Sequence, residues 1–234
     1  MLNSALDPAA LAQTLLARGR LQIADALLPE PAAALHACLV AEVPWSLAYV
    51  EGSHPKTLPA ERLRSLTPTE RTELVRQVHA EARDGYQFMY HSYMMVSAYL
   101  AGRDPQLPLH RVLEYLNSEA FLGFARTLTG VEALRRVDAQ ATCYLPGDFL
   151  KRHNDEHASA GRRFAYVLNL TERWQADWGG LLQFLDQDGA VIDTFLPKWN
   201  TLSIFAVPAL HCVSFVTPYA GVPRLSITGW LLDR

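Results

Sequence analysis

The spacing of apolar positions changes character near residue 130. Before it, they recur mostly at helical intervals; after it, they mostly alternate in short runs. Residues 8–18 (PAALAQTLLAR) have helical spacing, with Asp7 placed to cap the start, Pro8 at the first position and Gly19 at the end. Residues 21–27 alternate well enough for a strand. Residues 30–42, rich in Ala and Leu, predict a second helix. Thr67-Pro68-Thr69-Glu70 has the form of a capped start for a third, over 67–83. Residues 107–129 predict one or two more, ending at Gly130. Eight short segments follow, at 135–144, 148–153, 163–171, 180–186, 190–196, 200–207, 211–217 and 224–232. They are rich in β-branched and aromatic residues, and Gly, Pro, Asn or Asp separate most of them. Strands at this spacing predict a closed or sandwiched β unit such as a jelly roll. The expectation is an α+β chain, mainly β, forming a single catalytic domain over 1–234. A helical buttress (1–130) would pack on one face of the β core (131–234).

Composition changes this picture little. Half of the 234 residues are hydrophobic and 19% are charged, enough apolar material for a packed core. A formal net charge of −3 gives no general attraction to nucleic acid or to an anionic membrane. Cys38, Cys143 and Cys212 are odd in number and far apart, which predicts no disulfide framework and a reducing, cytoplasmic setting. The first twenty residues lack the basic start and apolar run of a signal peptide, and no apolar run is long enough to span a bilayer.

Candidate chemistry concentrates in Tyr144-Leu-Pro-Gly-Asp-Phe-Leu-Lys-Arg-His153-Asn-Asp155. Residues i and i+2 of a strand share a face, so His153 and Asp155 are expected to reach one ion from a strand end. His211, at the start of a later strand, can supply a third ligand. Two imidazoles and one carboxylate on one face of an octahedral ion leave three open positions, the facial triad of non-haem Fe(II) oxygenases. Zinc hydrolases share this ligand set, but the HExxH helix is missing. His157 reads as a surface-loop histidine. Arg224 lies in a strongly apolar strand, where arginine requires a partner. With Ser226 on the same strand face, it suits a carboxylate at the bottom of a barrel; pairing with a structural Asp or Glu is the alternative.

HxD, a distal His and then RxS resembles the 2-oxoglutarate/Fe(II)-dependent dioxygenase superfamily. Tyr144-Leu-Pro-Gly147, Tyr166-Val-Leu-Asn-Leu170, Trp178-Gly-Gly180-Leu, Pro197-Lys-Trp-Asn200 and Arg224-Leu-Ser-Ile-Thr-Gly-Trp230 are similar to its prolyl-hydroxylase branch, in particular the catalytic domain of ribosomal-protein prolyl hydroxylases. The resemblance covers residues 135–232. It implies a double-stranded β-helix, a cupin-like jelly roll. It also implies iron ligation by His153, Asp155 and His211, with the 2-oxoglutarate carboxylate on Arg224, assisted by Ser226 and Tyr144. Asn169 stands where close relatives carry a second co-substrate tyrosine, and its amide is expected to donate there instead. The implied cofactors are Fe(II), 2-oxoglutarate and O2, with ascorbate as a supporting reductant.

The implied reaction is hydroxylation of a prolyl residue in a protein or peptide by a monomer or homodimer, giving succinate and CO2. Two rivals remain: hydroxylation of free proline or another small molecule, and a non-catalytic cupin-like binding module. Halogenation is disfavoured because Asp155 supplies the carboxylate that halogenases replace. Tyr86-Gln-Phe88-Met-Tyr90-His-Ser-Tyr93-Met-Met is aromatic at alternating positions, which fits either the mouth of the barrel or a plain buried strand.

Overall fold

A computed structural model describes residues 1–156 and 160–234, so His157 lies outside the described residues. The chain begins with α1 (Pro8–Arg18), β1 (Arg20–Ile23) and α2 (Pro29–Ala41). A hairpin, β2 (Ser46–Glu51) and β3 (His54–Leu58), precedes α3 (Ala60–Ser65) and α4 (Pro68–Glu81). Next come β4 (Phe88–Tyr93), α5 (Met95–Leu100), α6 (Leu109–Leu116) and α7 (Glu119–Thr129). The β core comprises β5 (Arg136–Val137), β6 (Gln140–Tyr144), β7 (Phe149–His153), β8 (Arg162–Asn169), β9 (Leu182–Leu185), β10 (Val191–Phe195), β11 (Thr201–Ala206), β12 (His211–Val213) and β13 (Arg224–Leu232).

Local chemistry accounts for the helix ends. Asp7 accepts from the backbone N–H groups of Ala9 (2.9 Å) and Ala10 (3.2 Å), and Gly19 ends α1 in the left-handed region. Thr67 and Glu70 form a reciprocal capping box on α4. No helix among the described residues is long and apolar enough to cross a membrane.

The thirteen strands of the described residues join one antiparallel sheet, whose main path runs β1-β11-β8-β13-β6-β4-β7-β12-β9-β10 and curls into a nearly closed jelly-roll barrel. Its two end strands meet through side chains. Asp193 on β10 accepts from Arg20 at 2.7 Å and from Arg18 at 2.8 Å, and Gln22 donates to the Leu196 carbonyl at 2.9 Å. β4 forms a corner: Met89 pairs with Phe149 on β7, whereas His91 to Tyr93 pair with β6.

Alternation divides the two faces. On β13, Leu225, Ile227 and Leu231 point outward into a large core with residues of α1, α2, α5, α6 and α7. Arg224, Ser226, Thr228 and Trp230 face the barrel interior. Burying each such apolar side chain stabilises the fold by about 1.5–3 kcal/mol. The expected helical layer on one face is therefore present, with a correction. Leu63 of α3 and Val78 of α4 pack in a separate cluster with Leu47, Met89 and Phe149, against the outer face of β2, β4 and β7. The first 130 residues also contribute four strands to the sheet.

Candidate metal and co-substrate site

The barrel interior holds a cavity of about 390 Å3, with His153, Asp155 and His211 in its lining together with Tyr144, Arg224 and Ser226. His211 opens β12 directly opposite His153 on β7. The next aligned pair is Val213 with Leu150, so β7 carries an extra residue between the two pairs. That bulge breaks the pleat alternation, which lets both Leu150 and His153 face the cavity.

Asp155 arrives differently from the expectation. β7 ends at His153, and Asp155 sits two residues later in a left-handed turn with φ 61°. A turn, and not a shared strand face, aims its carboxylate; aspartate tolerates that conformation better than most residues. The resulting distances are 3.3 Å from His153 Nε2 to Asp155 Oδ1 and 3.5 Å from His211 Nε2 to Asp155 Oδ2. One ligand atom from each residue lies within 4.8 Å of the other two. Ligands about 2.1 Å from one ion at right angles would sit about 3.0 Å apart, a spacing that the two His–Asp distances approach.

Tautomers are fixed by the backbone. His153 Nδ1–H donates to the Lys151 carbonyl (3.0 Å) and His211 Nδ1–H to the Ala209 carbonyl (2.8 Å). Both Nε2 lone pairs are thereby left for a ligand-accepting ion. Burial, aided by the neighbouring His153, pushes the His211 pKa down to about 4 against the opposing pull of Asp155, which keeps this imidazole neutral at physiological pH. Burial raises the Asp155 carboxyl, but the two histidines more than offset it and hold it below its usual value. A carboxylate and a neutral imidazole are protonation states that a divalent metal requires of its ligands.

Elsewhere in the cavity lining, Arg224 is 2% exposed and makes no ion pair with any carboxylate of the described residues. Its Nε is buried without a partner. The Tyr144 ring lies 4.8 Å from its guanidinium carbon. Burial pulls the guanidinium below its ordinary pKa, with Tyr144 opposing. A buried cation without a counter-ion is costly, and an anionic ligand would relieve that cost. Gly180 gives the arginine room, because a Cβ there would meet Trp174 at 2.9 Å and Arg224 Cδ at 3.3 Å. These residues fit a divalent metal and, separately, the distal carboxylate of a dicarboxylic acid.

Arg224 pairs in register with Tyr144, and Ser226 with Thr142, so the four side chains form two facing rungs. Ser226 Oγ and Thr142 Oγ1 are 2.7 Å apart. Thr142 was not singled out from the sequence; alternation back from Tyr144 carries the signal. Asn169 departs from its expected role. It faces inward, yet Nδ2 is turned toward Thr201 Oγ1 (3.2 Å) and Ser203 Oγ (3.4 Å), its Oδ1 is unpartnered, and it is absent from the cavity lining. The residue is thus held by neighbouring β11 instead of being aimed at the co-substrate. Trp230 lines the cavity, with the Arg162 guanidinium carbon 3.5 Å from its ring centroid.

Residues 139–232 match the sequence model of the 2OG-Fe(II) oxygenase superfamily. A prolyl 3-hydroxylase of Xenopus laevis is 34% identical over 127 residues, which are 51% of this chain and 24% of the relative. The chain therefore spans about a quarter of that relative's length. Among solved structures, a Pseudomonas putida prolyl-4-hydroxylase superposes with a TM-score of 0.58 at 21% identity, covering 97% of this chain and 99% of the other. A Trichoplax adhaerens prolyl hydroxylase in complex with a hypoxia inducible factor peptide fragment gives 0.60 at 16% identity, covering 97% and 89%. These likenesses show the double-stranded β-helix fold, and residues 139–232 are similar to the 2OG-Fe(II) oxygenase superfamily.

Proposed function

We propose that the protein is an Fe(II)- and 2-oxoglutarate-dependent dioxygenase that hydroxylates a prolyl residue of a protein, releasing succinate and CO2. The observation that carries the reading is a buried, unpaired Arg224 in the same cavity as the His153–Asp155–His211 cluster. When bound, iron with 2-oxoglutarate and dioxygen supplies the oxidising power for cleavage of an unactivated C–H bond. The chain's own residues do the rest. His153, Asp155 and His211 would hold the metal. Arg224 would receive the distal carboxylate in a charge-assisted pair, with the Ser226 hydroxyl and Tyr144 beside it. Leu150, Leu182, Phe205 and Val213 line the same cavity and exclude water from the reacting carbon.

The prolyl substrate is supported by relatives named as prolyl hydroxylases in both comparisons. We further propose that residues 1–234 act as a single catalytic unit, consistent with the N-terminal strands being hydrogen-bonded into the same sheet. A cytoplasmic location belongs to the same reading, supported by three cysteines that form no disulfide. The test is incubation of the Fe(II)-loaded protein with 2-oxoglutarate and proline-containing peptides under air. Mass spectrometry should find one added oxygen on proline together with stoichiometric succinate. Oxygen addition to free proline, with none to peptides, would replace the protein substrate by a small molecule.

A further inference from the structure

We propose that Tyr86 and Phe88 form a specificity wall for an extended peptide, holding an apolar side chain two residues from the hydroxylated one. The proposal rests on the oxygenase reading above and adds residues that the reading does not use. Tyr86, Phe88 and Tyr90 lie on one face of the chain entering and running along β4, and all three line the cavity. Their ring centroids are 5.9 Å and 5.5 Å apart, and Tyr90 stacks on Tyr144 at 5.1 Å, so a continuous ladder of rings descends from the mouth to the co-substrate end. Tyr90 is largely covered, whereas Tyr86 is 51% exposed. No hydrogen bond of the Tyr86 hydroxyl is seen among the described residues.

An exposed aromatic ring continuous with a functional cavity is where an apolar contact can still be gained. The Tyr86 ring lies 6.1 Å from the His153 ring. Two residues of extended chain cover about 6.6 Å. A peptide with its acceptor residue beside the metal ligands therefore places a residue two positions away on Tyr86. Phe88 supports that ring from below. A cavity of about 390 Å3 admits a co-substrate and one side chain, so the flanking residues must lie along the rim. The corner geometry of β4, paired with β7 at one end and with β6 at the other, ties this wall to both of those strands. Free proline would make no use of Tyr86.

The test is a peptide array with a central proline and every residue type at the second position on either side. It is probed with labelled protein, Fe(II) and 2-oxoglutarate under nitrogen, so that binding is read without turnover. Wild type should prefer an apolar residue over an acidic one at one of these positions by about tenfold, corresponding to a ring contact of about 1.4 kcal/mol. Tyr86→Ala and Phe88→Ala should each remove that preference, and Tyr86→Phe should keep it. An array without preference at these positions, or a preference that survives Tyr86→Ala, overturns the wall. Succinate formation by the wild-type protein under air is scored separately; its failure would sink the oxygenase reading and leave the binding result interpretable on its own.

Discussion

At the scale of single residues, Arg224 separates function from stability. Its guanidinium is buried without a carboxylate, an arrangement that lowers the stability of the empty protein. Arg224→Ala should raise the 2-oxoglutarate concentration needed for half-maximal turnover about a hundredfold, the value of a lost charge-assisted pair. It should leave metal affinity nearly unchanged, because the metal cluster is made by other residues. Arg224→Met, which keeps the volume and removes the charge, should raise the melting temperature of the ligand-free protein. A lower melting temperature for Arg224→Met would mean that the charge already has a partner.

The elements show what alternation in the sequence reveals and where it stops. β13 is read from sequence to the residue, because Leu225, Ile227 and Leu231 alternate with the inward Arg224, Ser226 and Trp230. Ile227→Ala, at a fully buried position, should cost about 2–5 kcal/mol in urea unfolding; a loss under 1 kcal/mol would place it outside the core. The β7 bulge is not legible, since an extra residue in a ladder shows only against its partner strand. Nor is the Asp155 turn, because a single positive φ on an aspartate leaves no period to read. The β2–β3 hairpin was missed because β3 (HPKTL) is polar and largely exposed, so its residues show no burial pattern. The hydrogen bonds of Asn169 were not legible, because they depend on β11, which only the fold brings beside it.

Barrel closure is also an element-scale property. Burial raises the Asp193 carboxyl, but Arg20, the Thr194 N–H and Arg18 more than offset it and hold it below its ordinary value. A depressed carboxyl stabilises the fold above its unfolded pKa of about 3.9, and that contribution disappears as pH falls through the folded-state value. Asp193→Asn should therefore cost up to about 1 kcal/mol at neutral pH, with wild type and variant converging as the pH falls through the folded-state value. A gap that persists in acid would assign the effect to packing.

For the whole molecule, ligand binding and folding are linked. The residues proposed to hold metal and co-substrate come from β6, β7, β12, β13 and the turn after β7, so binding would tie together strands from both sides of the barrel. Mn(II) at about a hundred times its dissociation constant should stabilise wild type by about 2.7 kcal/mol, and 2-oxoglutarate should add to that. Asp155→Ala should lose most of that stabilisation, read as a thermal shift; an unchanged shift would remove Asp155 from the metal site.

The central claim is that one cavity holds iron through His153, Asp155 and His211 and presents 2-oxoglutarate to it from Arg224. Anaerobic addition of Fe(II) and then 2-oxoglutarate to the purified apoprotein tests it most directly, by following the weak visible charge-transfer band of the chelate. The account predicts that the band forms in wild type and is lost in His211→Ala. Iron binding with no chelate band, or an undiminished band in His211→Ala, would contradict it.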